Sequence, residues 1–458
     1  MKKNVLFFLT DDQRFDTIGS LGNNEIYTPN LDRLVSMGTT FTQAHIPSGT
    51  SGAICMPSRA MIHSGRTLFH LKDCGAVIPK EHITLGEVLQ KNGYNSCGIG
   101  KWHNGHESFA RSFNDGDDIF FGGMWDHWNV PISHYDHTGK YDNFKKHIRN
   151  SGMSKTITNI NCDEIPAGVH STELFTSKAL EKLRTIPKDK PFFMYVSYLA
   201  PHDPRSMPEE FQNMYDKDNI SLPKNFKKDY AFLIGIEDIR DEKIGIYPRD
   251  EEDIKQHIAD YYAMITHLDF NIGKILDELE AKGILEDTLI IFAGDNGLNV
   301  GQHGYLGKQS HYEASLRVPL IMAGANMPKN KKIDSYVYLM DVYPTICQLL
   351  DVEIPESVEG LSLVPLINNS QNSVREYLYF AYTGLIRSIK YKGYKLILYK
   401  KAEEYNQLFN IATDCNELNN LFNENEYDNI KKELLQLMDK EKEQWEDTKD
   451  PYTLEFWK

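Results

Sequence analysis

Val5-Leu6-Phe7-Phe8-Leu9 runs directly into Thr10-Asp11-Asp12, and a second apolar run, Leu289-Ile290-Ile291-Phe292, runs into Ala293-Gly294-Asp295-Asn296-Gly297. Each run is short, β-branched or aromatic, and uninterrupted by polar residues, as expected of a strand buried on both faces of a parallel sheet. In open parallel sheets, ligands bind beyond the carboxyl ends of the strands. If both strands share one sheet, three carboxylates and a carboxamide converge there. Unneutralised, they repel. A hard divalent cation with oxygen ligands resolves the repulsion, and the absence of Cys and His from both pairs favours calcium or magnesium over zinc.

Outward from these two strands, further apolar runs at 95–99, 191–199 and 318–322 read as buried parallel strands. Helical patterns at 28–37, 57–64, 84–92, 173–185, 251–282 and 341–350 alternate with them. This alternation predicts an α/β fold: a large, mostly parallel sheet flanked by helices. Segments 104–167 and 203–249 lack a clear period and are expected to be irregular loops shaping the site. Near residue 370 the pattern changes. Short segments at 377–382, 385–390 and 394–399 read as an antiparallel meander, followed by a charged helix with Leu434, Leu437 and Met438 on one face. The expected division is a catalytic α/β unit over residues 1–370 and a small C-terminal antiparallel sheet plus helix over 371–458.

Composition sets limits on function. The 458 residues are 41% hydrophobic and 25% charged, which is enough for a core and excludes wholesale disorder. Asp+Glu total 65 against 50 for Lys+Arg, and the net charge of −15 argues against nucleic-acid or anionic-membrane partners. An anionic substrate would need a local cluster of cations or a metal. The six cysteines are scattered without a CxxC pair, so neither a disulfide scaffold nor a zinc site is expected. No apolar run approaches the roughly 20 residues of a membrane span. The N-terminal Lys2-Lys3 and the apolar run after them mimic a leader, but the run is shorter than the roughly 7–15 residues of a signal core. With Met1 as the native start the expectation is a cytoplasmic protein; a trimmed leader would make it periplasmic or secreted. Neither a GxxxxGK[ST] loop nor a dinucleotide fingerprint occurs, so nucleotide chemistry is not expected.

In Cys55-Met56-Pro57-Ser58-Arg59, Pro57 suits the first turn of a helix and Gly65 its end. Cys55 is therefore expected at a helix N-terminus, where free N–H groups favour an anion, with Arg59 one turn inside. A helix N-terminus and a neighbouring cation both lower a thiol's pKa, so a reactive cysteine and an inert buried one are both open readings. Gly100-Lys101-Trp102-His103 and Ala200-Pro201-His202-Asp203 follow two other strands and place cations and imidazoles on the same edge. His303, Lys308, His311 and Arg317 lie in the stretch after Asp295. Lys and His there suit a tetrahedral anion and proton exchange near neutral pH.

Together these motifs resemble the type I sulfatase family of the alkaline-phosphatase superfamily over most of residues 4–365. The C-x-P-S-R pattern at Cys55–Arg59 is the most specific. Thr28-Pro29-Asn30-Leu31-Asp32-Arg33-Leu34, Gly100-Lys101-Trp102-His103, Gly294-Asp295-Asn296-Gly297 and Arg317-Val318-Pro319-Leu320 stand in the family's order. The resemblance implies that a formylglycine-generating maturation enzyme converts Cys55 to formylglycine (3-oxoalanine), whose hydrate is the nucleophile. It also implies one divalent metal, usually calcium with magnesium the alternative, on Asp11, Asp12, Asp295, Asn296 and the modified Cys55. Arg59 would steady the hydrate, and Lys101, Lys308 and His202 would hold sulfate oxygens. His103 would act as base, and His202 would protonate the leaving alcohol, with His303 next in line. His303 and His311 are candidates for substrate contact. Gln13-Arg14 after the Asp pair, Gly49-Thr50-Ser51-Gly52 before Cys55, and Asn296 where some members carry His depart from the commonest pattern. The implied substrate is a sulfated sugar, held by loops near 125–128 and 205–247, with an arylsulfate or other sulfated small molecule as alternatives. A phosphate or phosphonate monoester hydrolase of the same superfamily, and a non-catalytic pseudo-sulfatase binding sulfated glycans, are the competing readings.

Overall fold

The computed structural model describes residues 2–148, 155–187 and 190–458. Its strands are β1 (Asn4–Thr10), β2 (Gly38–His45), β3 (Ser48–Gly49), β4 (Asn95–Lys101), β5 (Asp115–Phe120), β6 (Phe144–Ile148), β7 (Ile157–Asn161), β8 (Phe192–Ser197), β9 (Thr288–Gly294), β10 (Leu320–Ala323), β11 (Lys331–Tyr338), β12 (Tyr377–Tyr382), β13 (Ile386–Tyr391), β14 (Tyr394–Tyr399) and β15 (Gln407–Asn410). Eight of them form the large sheet, in the order β11-β2-β10-β9-β1-β8-β4-β5.

β1 lies between β8 and β9 and runs parallel to both, with Thr10 level with Gly294. The ends that carry Asp11-Asp12 and Asp295-Asn296 are therefore neighbours. Along β1, Val5, Phe7 and Leu9 enter one apolar cluster, and Leu6 and Phe8 enter the other. That two-residue alternation between two buried faces explains the unbroken apolar run. Each fully buried side chain of this kind contributes roughly 1.5–3 kcal/mol, which makes the strand ends a rigid platform. One face is covered by helices Pro29–Met37, Ser171–Thr185 and Glu251–Ala281, the other by helix Cys55–Ser64 and the C-terminal sheet.

Three expectations need correction. First, the 318–322 run is strand β10, but it runs antiparallel to both β9 and β2. The segment between β9 and β10 holds only a four-residue helical turn, Glu313–Leu316, and no crossover helix, so the chain returns in the opposite direction. Apolar content reported double-sided burial and carried no information on direction. Second, segment 104–167 is not irregular throughout. It holds helix His106–Ser112, β5 and the β6–β7 hairpin, while 149–154 lies outside the described residues. Third, the meander β12–β15 is joined by β3, which pairs parallel to β12 at Ser48–Ala381 and Gly49–Tyr382. The C-terminal sheet thus borrows a strand from the segment just before Cys55. Segment 203–249 is irregular as expected, with short helical turns such as Glu209–Gln212.

Candidate active site

Helix Cys55–Ser64 begins at Cys55 and ends at Gly65, whose φ of 68° and N–H bond to Met61 O (2.7 Å) close its last turn. Ser58 Oγ donates to Asp295 O at 2.5 Å, tying the helix start to the end of β9. Arg59, one turn in and fully buried, donates from Nε to Asp295 Oδ2 (2.7 Å) and from Nη1 to Ser197 Oγ (2.5 Å) at the end of β8. The helix is thereby fixed to two strand ends at once.

Lys101 ends β4. Gly100 before it has φ +86°, and a Cβ there would lie 2.0 Å from Ser197 O. Only glycine allows this approach of β4 to β8. Lys101 Nζ then donates to Asp11 Oδ2 and to Gly123 O, and lies 3.8 Å from Cys55 Sγ. Asp12 adopts a left-handed φ of 62°, held by its N–H on Asp295 Oδ1 (3.1 Å) and by Tyr261 OH donating to its carbonyl (2.5 Å). This strained conformation aims Asp12 into the cluster. There Asp12 Oδ1 accepts from Lys308 Nζ (2.6 Å) and Asn296 Nδ2 (2.6 Å). His202 Nε2 stands 3.6 Å from Asp12 Oδ2, and His103 Nδ1 stands 3.6 Å from Cys55 Sγ.

The electrostatics follow from burial. Burial raises the Asp11 carboxyl, but Lys101, His202 and Arg59 outweigh it and hold its pKa well below the usual carboxylate range. Burial and the charge on Asp11 push Asp295 the other way, upward. Burial opposes the Lys308 ammonium, yet Asp12, with Cys55, Asp241 and Asp11 beside it, more than compensates and raises it well above an ordinary lysine. Burial, then Lys101 and Arg59, drive the His103 pKa far down, so its imidazole is neutral. His202 donates from Nδ1 to Asp203 O (2.8 Å), which leaves Nε2 facing the cluster.

The oxygen donors suit a divalent cation. Asp11 Oδ1 and Asn296 Oδ1 are buried without a hydrogen-bond partner. Metal-ligating atoms of Asp11, Cys55 and Asp295 lie within 4.8 Å of one another, as do those of Asp11, Asp12 and His202. Orphaned buried oxygens are costly unless something binds them. The hard oxygen set matches calcium or magnesium.

Among the residues singled out from sequence, Asp11, Asp12, Cys55, Arg59, Lys101, His103, His202, Asp295, Asn296 and Lys308 come together. His303 and His311 do not. His303 stacks on Tyr312 at 3.7 Å and accepts from Asn225 Nδ2 (3.1 Å). His311 bonds Ser388 Oγ of β13 at 2.8 Å. Both anchor the Lys308 loop from outside the cluster. Sequence reasoning missed Ser197, which sits at a strand end and was findable there. It also missed Asp241, Tyr261 and His127, which no motif marked. Asp241 accepts from Gln309 Nε2 (2.9 Å), beside Lys308.

A sulfatase family model matches residues 3–352, most of the chain, and a model of the N-sulphoglucosamine sulphohydrolase C-terminal region matches residues 301–444. The chain belongs to the type I sulfatases. An arylsulfatase of Clostridium perfringens is 30% identical to this sulfatase over 456 residues, covering 93% of this chain and 92% of its own. An N-acetylglucosamine-6-O-sulfatase of Bacteroides thetaiotaomicron is 25% identical over 527 residues, covering 98% and 88%. A solved structure of a protein in complex with its substrate D-glucosamine-2-N,6-O-disulfate shares the fold at a TM-score of 0.79 and 22% identity, over 98% of this chain and 99% of that one. The sulfatase is accordingly a sulfuric ester hydrolase of the alkaline-phosphatase superfamily. Among its described residues no helix is long and apolar enough to cross a membrane.

Proposed function

We propose that this sulfatase removes a sulfate ester from a sulfated carbohydrate in two displacements, with Cys55 matured to formylglycine as the nucleophile. The observation that carries the reading is the placement of Cys55: it opens a helix inside a buried cluster of three cations and three carboxylates. The sugar follows from the relatives, one named for N-acetylglucosamine 6-O-sulfate and one bound to a disulfated glucosamine.

Asp11, Asp12, Asp295, Asn296 and the matured Cys55 would hold the metal, calcium before magnesium, which when bound offsets charge on the sulfuryl group. Lys101 and Lys308, both buried, supply fixed positive charge for the sulfate oxygens. In the first step a hydroxyl of the Cys55 hydrate passes its proton to the neighbouring Asp295 carboxylate and attacks sulfur, and the ester S–O bond breaks. His202, entering the step protonated on both nitrogens, with Nδ1 on Asp203 O and Nε2 beside the Asp12 carboxylate, delivers the Nε2 proton to the departing sugar oxygen. In the second step neutral His103, beside position 55, takes the proton from the remaining hydroxyl. The carbon–oxygen bond to sulfate then breaks, sulfate leaves, and the aldehyde returns to be hydrated again. A covalent intermediate divides one hard displacement into two easier ones.

The test is desulfation of defined sulfated mono- and disaccharides by natively matured enzyme, beside a nitrophenyl sulfate and a nitrophenyl phosphate. Sulfate release from a sugar, glucosamine 6-sulfate foremost, is expected. Turnover of the phosphate ester alone, or binding of sulfated sugars without turnover, overturns the proposal.

A further inference from the structure

His127 and His170 form a stacked pair of buried imidazoles, 5.1 Å between centroids and 6° from coplanar. They come from different elements. His127 lies in the loop after β5, and His170 is the N-cap of helix Ser171–Thr185. His127 Nε2 bonds the backbone carbonyl of His202 (2.9 Å), and its Nδ1 bonds Ser171 Oγ (2.8 Å). His170 Nε2 bonds the carbonyl of Ser206 (2.9 Å), and its Nδ1 accepts from Thr172 N (3.2 Å).

A carbonyl only accepts, so both rings must carry their proton on Nε2. Ser171 Oγ then donates to His127 Nδ1. Burial keeps both rings neutral, with pKa values lowered to about 4 and about 3. The stacked pair therefore grips both ends of the five-residue segment 202–206 that carries His202, and anchors it to a long helix packed under the sheet.

We infer that His127 is a positioning residue for His202: it fixes the His202 backbone so that Nε2 faces the departing oxygen. The inference rests on the proton-donor role proposed above for His202. A misplacement of about 1 Å in a proton donor can cost on the order of 10²-fold in rate.

The experiment compares kcat/KM on a sulfated sugar and on a nitrophenyl sulfate. The sugar leaves as a high-pKa alkoxide and needs the proton; nitrophenolate hardly does. His202→Ala calibrates the assay, with an expected loss of roughly 10²–10⁴-fold on the sugar and much less on the aryl ester. His127→Phe should then show the same selectivity with a smaller loss, about 10-fold or more on the sugar. His127→Gln, which restores a donor toward the His202 carbonyl, should recover most of it. Ser171→Ala frees the ring of His127 without adding bulk, and should show the same selectivity even if His127→Phe fails to fold. Equal losses on both substrates in the His127 and Ser171 variants, or no loss, overturn the inference while His202→Ala remains selective. Equal losses in His202→Ala itself overturn instead the proton-donor reading.

Discussion

Two buried clusters of opposite charges lie within one molecule, and they differ in what is left over. At the seam between the two sheets, Glu313 accepts from Lys390 (2.8 Å) on β13 and Lys395 (3.1 Å) on β14. His45 at the end of β2 lies 3.3 Å from the same carboxylate, and Lys395 also meets Glu417 at 2.5 Å. Both oxygens of Glu313 meet an ammonium. At the strand ends, Asp11, Asp12 and Asp295 each meet a cation, yet Asp11 Oδ1 and Asn296 Oδ1 remain without a partner. A cluster in which every carboxylate oxygen meets an ammonium or a backbone N–H holds the fold together. One with spare oxygens, built on a strained Asp12 and a glycine-dependent strand end, is arranged for something else to bind. The contrast yields a rule for mutations: at the seam they should cost stability, at the strand ends activity.

Cys55→Ala should break the comparison most sharply. It removes the nucleophile and almost no core volume, so turnover should fall below about one per cent of wild type with little change in thermal midpoint. Sulfate release and a melting curve on the same preparation check this; substantial residual activity would remove Cys55 from the chemistry. Asp295→Asn comes next. It keeps the shape of the side chain but weakens an oxygen donor, so bound calcium, measured by elemental analysis, and activity should fall together. Chelation should inactivate the wild type, with calcium or magnesium restoring it better than zinc. Rescue by zinc alone would contradict the oxygen-donor reading.

Glu313→Gln should do the reverse. It leaves two buried ammonium groups short of a counter-charge, a loss of about 3–5 kcal/mol in unfolding free energy. At a temperature where the variant remains folded, kcat/KM should change far less than in the strand-end variants. The smallest effect concerns acid. Burial and Lys390, against Glu313, lower the His45 pKa from 6.5 to about 4. The folded protein keeps this ring neutral where the unfolded chain binds a proton, so stability is full above about 6.5 and declines as pH falls toward about 4. Denaturant melts across that window should show the decline, and a shallower slope in His45→Gln.

Sequence reached one cluster and not the other for physical reasons. β1 and β9 announced themselves because burial on both faces demands unbroken apolar runs, and the acidic pairs follow those runs directly. β11, Lys331–Tyr338, alternates polar and apolar residues at a sheet edge and gives no such signal. β3 is two residues long, and its pairing with β12 bridges more than 300 positions. No motif marks Lys390 and Lys395 within the meander, because the carboxylate that buries them lies some 80 residues upstream. His303 and His311 looked like site residues because they lie with Lys308 in the stretch after Asp295, yet their rings turn to Tyr312 and Ser388. His127, inside a segment without a period, was invisible until its carbonyl partner on His202 was located.

The central claim is that position 55 acts as an aldehyde hydrate held in the strand-end cluster. Mass spectrometry of the peptide containing Cys55, taken from active, natively matured enzyme, tests it most directly. Conversion of the thiol to formylglycine predicts a peptide about 18 Da lighter than the unmodified sequence. Fully active enzyme with an intact thiol at position 55 would contradict it.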